Sequence, residues 1–153
     1  MLKFLLKKIW SNLIYLLILF SNNFNLKVDS VKVFYGGARS GNVGGPLVKI
    51  KRLKKYFPEK LFSFNIVYLL SNSPFLSDNA IKKLKSRHVP IILNQNGIFF
   101  PGWFHGDWKK MNKIMSKSYV EADYVFWQSK FCKYSAQRFL TKRSGPGEIY
   151  INA

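Results

Sequence analysis

The chain has 153 residues, enough for one domain with a sizeable core and too few for two ordinary ones. Hydrophobic residues at 48% and aromatic residues at 17% exclude a disordered chain, and a single cysteine, Cys132, excludes an internal disulfide. Twenty-five Lys and Arg against seven Asp and Glu give a formal charge of +18, which favours nucleic acid or an acidic membrane surface as partner. Most of that charge falls where solvated helix faces are expected, so charge alone names no partner.

The first 25 residues stand apart. Lys3, Lys7, Lys8, Ser11 and Asn12 share one side of a helical projection, and Leu2, Leu5, Leu6, Ile9, Trp10 and Leu13 share the other. From Leu13 to Phe20 the run is apolar on all sides. As a helix, Ile9 to Phe20 would be about 18 Å long, short of the roughly 30 Å hydrocarbon core. No small-residue cleavage pattern follows, only Ser21-Asn22-Asn23-Phe24-Asn25. Residues 1–25 are therefore expected to form an amphipathic membrane-surface helix on an anionic bilayer, with residues 26–153 as the folded domain. The rival is an uncleaved signal anchor, which would put Met1 in the cytoplasm and the domain outside. The lone cysteine speaks against that, and the expected location is cytoplasmic, peripheral on the inner face.

Val31 to Tyr35 is a β-branched and aromatic strand that Gly36-Gly37 stops. Gly41, Gly44 and Gly45 follow in a loop, and Pro46 stands where a helix would begin. Glycines there permit a sharp turn and close approach of a ligand, and a helix start attracts anions. Leu47, Ile50, Leu53 and Phe57 mark the next helix, which Pro58 ends. Phe64 to Leu70 is a buried-type strand closed by Ser71-Asn72-Ser73-Pro74, and Ser77 caps a helix carrying Ala80, Ile81 and Leu84. Val89 to Leu93 is an apolar strand ending in Asn94-Gln95-Asn96-Gly97. Asp107 caps a helix with Trp108, Met111, Met115 and Tyr119 inward. Tyr124 to Trp127, the Ser129-capped helix and the strand Ile149 to Ile151 complete the chain.

This alternation predicts an α/β fold, a parallel sheet with helices on both faces. The Gly36–Gly45 loop, Ser71-Asn72-Ser73, Asn94–Gly97 and Gln128-Ser129 would then meet at one crevice rim beyond the carboxyl ends of the strands. Amides and hydroxyls with few carboxylates suit a polyhydroxyl or phosphate ligand better than a metal. Two histidines and one cysteine offer no metal-ligand spacing. Neither GxGxxG nor GxxxxGK[ST] occurs, and no acidic residue follows the second strand to hold a dinucleotide ribose. His105, within Pro101-Gly102-Trp103-Phe104-His105-Gly106-Asp107, is a candidate for an acceptor site and equally a surface histidine.

Three stretches, Val31 to Pro46, Pro90 to Gly97 and Ala122 to Cys132, together with the ending Gly147-Glu148-Ile149-Tyr150-Ile151-Asn152-Ala153, resemble the amino-terminal half of family 4 (group 1) glycosyltransferases. The resemblance implies a Rossmann-like acceptor domain, the amino-terminal half of a GT-B fold, whose second half binds a nucleotide-sugar. It implies retaining transfer of a hexose to a glycan or lipid-linked acceptor, without an essential metal or cofactor, the nucleotide-sugar being a co-substrate. By the same resemblance, Gly36, Gly37, Gly44 and Gly45 border donor phosphate or sugar. Asn94, Gln95, Asn96, Gly97, His105, Gln128 and Ser129 border the acceptor or sugar cleft. Asn96 stands where many relatives carry His, and an amide cannot titrate near neutral pH. The family's paired glutamates have no counterpart. The expectation is a truncated or split enzyme, inactive alone, with a separate donor-domain chain as partner. Two other readings compete: a basic module binding nucleic acid, with Phe99, Phe100, Trp103 and Phe104 stacking bases, and a membrane-associated remnant with no ligand. Nucleic acid is the less favoured partner.

Overall fold

The computed structural model describes residues 2–21, 30–71 and 75–151 of the chain. Its elements are α1 (Leu2–Phe20), β1 (Val33–Phe34), α2 (Gly45–Tyr56), β2 (Ile66–Leu70), α3 (Asp78–Ser86), β3 (Ile91–Gln95), α4 (Trp108–Glu121), β4 (Tyr124–Trp127), α5 (Lys130–Phe139) and β5 (Gly147–Ile149). The strands form one five-stranded sheet in the order β1-β2-β3-β4-β5, every neighbouring pair parallel. The expected α/β class with a parallel sheet is thus present. Asn72 and Ser73, the Asn22–Asn25 stretch and the terminal Asn152-Ala153 lie outside the described residues.

The helix caps follow from local chemistry. The hydroxyl of Ser77 accepts from the Ala80 amide at 3.2 Å, the carboxylate of Asp107 from Lys110 at 3.0 Å, and Ser129 from Cys132 at 3.1 Å. Pro46 sits in the first turn of α2, and Gly44 precedes the helix at φ 88°.

The two faces of the sheet are covered unequally. Strand register puts Phe34, Val67, Leu69, Ile91, Leu93 and Val125 on one face, packed in one core cluster with Ile14 and Ile18 of α1, Ala80, Ile81 and Leu84 of α3, Tyr119 of α4 and Ala136 of α5. The other face carries Val33, Tyr35 and Leu70, covered by Ile50 and Leu53 of α2. Beyond the reach of α2, the half-buried Ile92, Tyr124 and Phe126 leave an apolar strip, with Phe126 and the exposed Tyr150 ring centroids 6.1 Å apart. Parallel sheets normally bury both faces, so this strip departs from the rule.

The reason α2 stands alone lies at the outer edge of β1. The Lys32 carbonyl accepts from Asn65 and Ile66 on the β2 side, while the next carbonyl, Val33, accepts from Lys60 at 2.8 Å on the opposite side. Glu59 forms a parallel bridge to Val33 there. The chain therefore leaves β1, crosses through α2 to the far side, and only then passes beneath β1 to β2. Crossovers between parallel strands are right-handed as a rule, and under that rule reversing the direction of travel moves the later helices to the other face. Side chains brace this reversal. The Glu59 carboxylate accepts from the Tyr35 amide at 3.3 Å and from Lys54 at 2.5 Å, and the Tyr35 hydroxyl donates to the Phe57 carbonyl at 2.9 Å.

Burial, with the Glu59 charge beside it, pushes the Tyr35 phenol from 10.0 up to about 12. A raised pKa in the folded state gives stability that is complete below the unfolded value and lost as pH climbs from 10.0 towards 12. Tyr35→Phe should cost about 1 kcal/mol at neutral pH and make that alkaline loss shallower, as read from denaturant midpoints across the same pH range.

Candidate functional site

Where the winding reverses, neighbouring strands send their following helices to opposite faces, and a crevice opens at their carboxyl ends. The chain has there a cavity of about 1120 Å³. The start of α2 contributes Gly44, Gly45, Lys49 and Arg52, and α5 contributes Cys132, Ser135 and Arg138. Between them lie Ser71, Asn96, Gly97 and Gln128 from the ends of β2, β3 and β4. Phe99, Phe100, Trp103, Phe131 and Phe139 supply a large apolar wall. Among the described residues, no carboxylate and no imidazole lines it.

Lys49 is the most constrained cation of the site. Its ammonium donates to Asn94 Oδ1 at 3.1 Å and lies 3.5 Å from Asn96 Oδ1. Burial lowers its pKa from 10.5, an effect that Cys132 partly offsets. An anion entering the cavity would restore the charged form, because opposite charge favours ionisation. The start of α2 points the same way: among the described residues its N-cap, Gly44, makes no side-chain cap bond, and the helix dipole adds positive potential beside Gly44 and Gly45. Arg52 follows Lys49 by one turn, and Arg138 faces the cavity from α5, so three cations border one space.

Asn96 joins three elements. Its amide donates to the Ser71 hydroxyl at 3.1 Å, its carbonyl accepts from the Cys132 thiol at 3.0 Å, and its side chain faces Lys49. The aromatic wall is held by a polar clamp that sequence reading did not single out. Asn112 of α4, 3% exposed, accepts from the Phe99 amide and donates to the Phe99 carbonyl, both at 2.9 Å. Phe99 then stacks on Trp103 with centroids 5.0 Å apart and packs edge-on against Phe104 at 4.9 Å.

The residues expected at the site divide. Gly44, Gly45, Asn96, Gly97 and Gln128 line the cavity. Asn94 and Gln95 belong to β3 rather than to the loop after it, and alternation sends their side chains to opposite faces. Asn94 reaches the cavity only through Lys49. Gln95 is fully buried and donates to the Gly97 carbonyl at 2.5 Å, so it shapes the turn rather than the surface. Ser129 caps α5 and is not a lining residue. His105 is exposed and outside the lining.

Gly36 and Gly37 also lie outside the lining and have a packing reason of their own. Both adopt positive φ, 60° and 78°, and a side chain at Gly36 would collide with Leu69. One at Gly37 would meet Ile14 of α1 at 2.7 Å. The sequence signal for Lys49 and Arg52 was available, since they follow Gly44-Gly45 within two turns on one side of α2. Charge in a lysine-rich helix disguised it.

No family model matches the chain, and no curated protein or solved structure matches it significantly.

Removing the clamp tests how the wall is built. Asn112→Ala leaves the part-buried amide and carbonyl of Phe99 without this partner and should cost about 1–3 kcal/mol in denaturant unfolding. Lys49→Met should keep the fold, with a melting temperature within about 3 °C of the parent, because removing a desolvated charge offsets the lost bond to Asn94.

Proposed function

We propose that this chain supplies the acceptor-binding half of a glycosyltransferase of the family 4 (group 1) type, a Rossmann-like domain whose cavity receives a glycan or lipid-linked acceptor. The observation that carries the reading is the composition of the cavity at the switch point. Lys49, Arg52 and the start of α2 form one wall, Arg138 faces the same space from α5, aromatic rings form another wall, and neutral amides lie between them. A ligand matching these surfaces is anionic at one end, apolar or ring-shaped along its length, and rich in hydroxyl groups. A sugar joined through phosphate to a lipid has all three properties.

In this reading Gly44 and Gly45, which the resemblance sets beside donor phosphate or sugar, instead join Lys49 and Arg52 in facing the phosphate oxygens of the acceptor. Asn96 and Gln128 hydrogen-bond sugar hydroxyls, and the Phe99–Trp103 wall takes the apolar part. Asn96 offers a donor and an acceptor without titrating, so it orients rather than transfers protons. The nucleotide-sugar is the co-substrate, and the donor-binding half comes from further polypeptide. The apolar strip of Ile92, Tyr124, Phe126 and Tyr150 supports such an arrangement, since it is a sheet face suited to being covered.

Thermal shift and titration calorimetry test the assignment of roles with two probes. A short-chain prenyl-phosphate sugar should raise the melting temperature of the isolated chain, and Lys49→Met should weaken its binding by about tenfold, the loss of one charge-assisted hydrogen bond. UDP-glucose should bind far more weakly. Tight nucleotide-sugar binding with no effect of the prenyl-phosphate sugar would overturn the acceptor reading. Preference for an oligonucleotide over both probes at moderate salt would replace it with a nucleic-acid module.

A further inference from the structure

The outward side of α1 carries a second surface, independent of the cavity. Leu6, Ile9, Leu13, Leu16 and Phe20 recur at alternating spacings of three and four, with Leu5 beside Leu6, and they are 47–78% exposed. The opposite side of the helix is committed to the domain. Ile14 and Ile18, 4% and 0% exposed, enter the main core, and Trp10 donates from its indole to the Gly37 carbonyl at 3.3 Å. The run from Leu13 to Phe20, apolar on all sides in the sequence, thus resolves into one face that packs and one that does not.

The far end of α1 is held by charge. The Arg87 guanidinium donates to the carbonyls of Ile18, Leu19 and Ser21, at 2.5, 2.9 and 3.1 Å. These are the acceptors a helix leaves unpaired at its carboxyl end, where a cation also meets the negative end of the dipole. With Trp10 against the turn after β1 and Ser21 against the end of α3, α1 runs opposite to the strands. Its start, with exposed Lys7 and Lys8, lies at the cavity-bearing edge of the sheet.

We propose that this stripe is a seat for an anionic lipid surface, with α1 lying in the bilayer interface and the domain clamped to its other side. Among the described residues no helix is long and apolar enough to cross a membrane, whereas an exposed apolar stripe, with lysines at the start of the helix on its other side, suits the boundary between headgroups and chains. The stripe spans an arc of about 100°, wider than a coiled-coil seam, and it is shorter than the three to four heptads such a seam needs. A second copy would also bring another +18 of charge, while acidic lipid attracts each nearby lysine. Because Arg87 and the Gly37 contact fix the helix, the seat also sets the orientation of the domain on the membrane. The cavity is thereby held beside the surface.

Co-sedimentation of the full chain with vesicles of phosphatidylcholine, with and without one-quarter phosphatidylglycerol, tests the seat without reference to any sugar. Binding should require the anionic lipid and fall with added salt. Leu13→Gln with Leu16→Gln should reduce it by about tenfold or more, while the melting temperature stays within about 2 °C because both side chains are exposed. Unchanged vesicle binding by this variant would overturn the proposal. So would a dimer of the parent chain, seen by sedimentation velocity, that the two substitutions dissolve while vesicles bind neither form. Should the double variant fail to fold, Leu16→Cys in a Cys132→Ser background can carry an environment-sensitive fluorophore. Its emission should shift to the blue with anionic vesicles, and an unmoved spectrum would equally overturn the seat.

Discussion

Hydrogen bonding on both sides of β1 is the constraint from which the rest follows. The Lys32 carbonyl is taken by β2 and the Val33 carbonyl by Lys60, so this two-residue strand is internal although it ends the row of named strands. A chain that first crosses outward and then returns must change sheet face to keep right-handed crossovers. That change isolates α2 from the other helices and opens the crevice between its start and the ends of the later strands. Glu59 holds the arrangement by standing in for a strand partner of Tyr35 and neutralising Lys54. Tyr35, fully buried beside it, ties the outgoing segment down through Phe57.

The same reversal divides the labour among the glycines. Gly36 and Gly37 lie at the turn after β1, where positive φ and the lack of a side chain let Leu69 and Ile14 approach. Among the described residues, Gly44 and Gly45 have no neighbour within 4 Å of where a side chain would stand, and they border the cavity. One glycine-rich loop thus serves packing at its beginning and leaves open space at its end. The packing part also positions α1, since the close approach at Gly37 lets Ile14 and Trp10 sit against the turn. Cavity and outward apolar stripe are therefore linked through one short stretch of backbone.

The cavity combines features that oppose stability. Lys49 is partly desolvated, three cations share a space that no carboxylate of the described residues lines, and a wall of aromatic rings remains open to solvent. Such a site rewards a ligand that brings negative charge and apolar surface together. The polar supports are built from backbone: the Asn96 amide and carbonyl bond Ser71 and Cys132 and leave its side chain facing the cavity, and the Asn112 side chain holds the Phe99 backbone. This is the usual separation between groups that bind and groups that position.

Local chemistry was legible in the sequence: the alternation of strands and helices, the caps at Ser77, Asp107 and Ser129, the proline at the start of α2, and the meeting of Gly44-Gly45, Asn96-Gly97 and Gln128 at one rim. These depend on period, propensity and capping, which act over a few residues. Gln95 and Ser129 were misplaced because one added residue of strand or one cap bond turns a side chain away from a surface. Lys49 and Arg52 were hidden among solvated lysines, and the Asn112 clamp joins residues 13 apart that no periodicity connects. Which face of α1 would pack, which side of β1 the chain would take first, and which cations would converge were decided by tertiary structure alone. Those outcomes depend on hydrogen bonds and burial between segments distant in sequence, and they become defined only when the whole sheet is assembled.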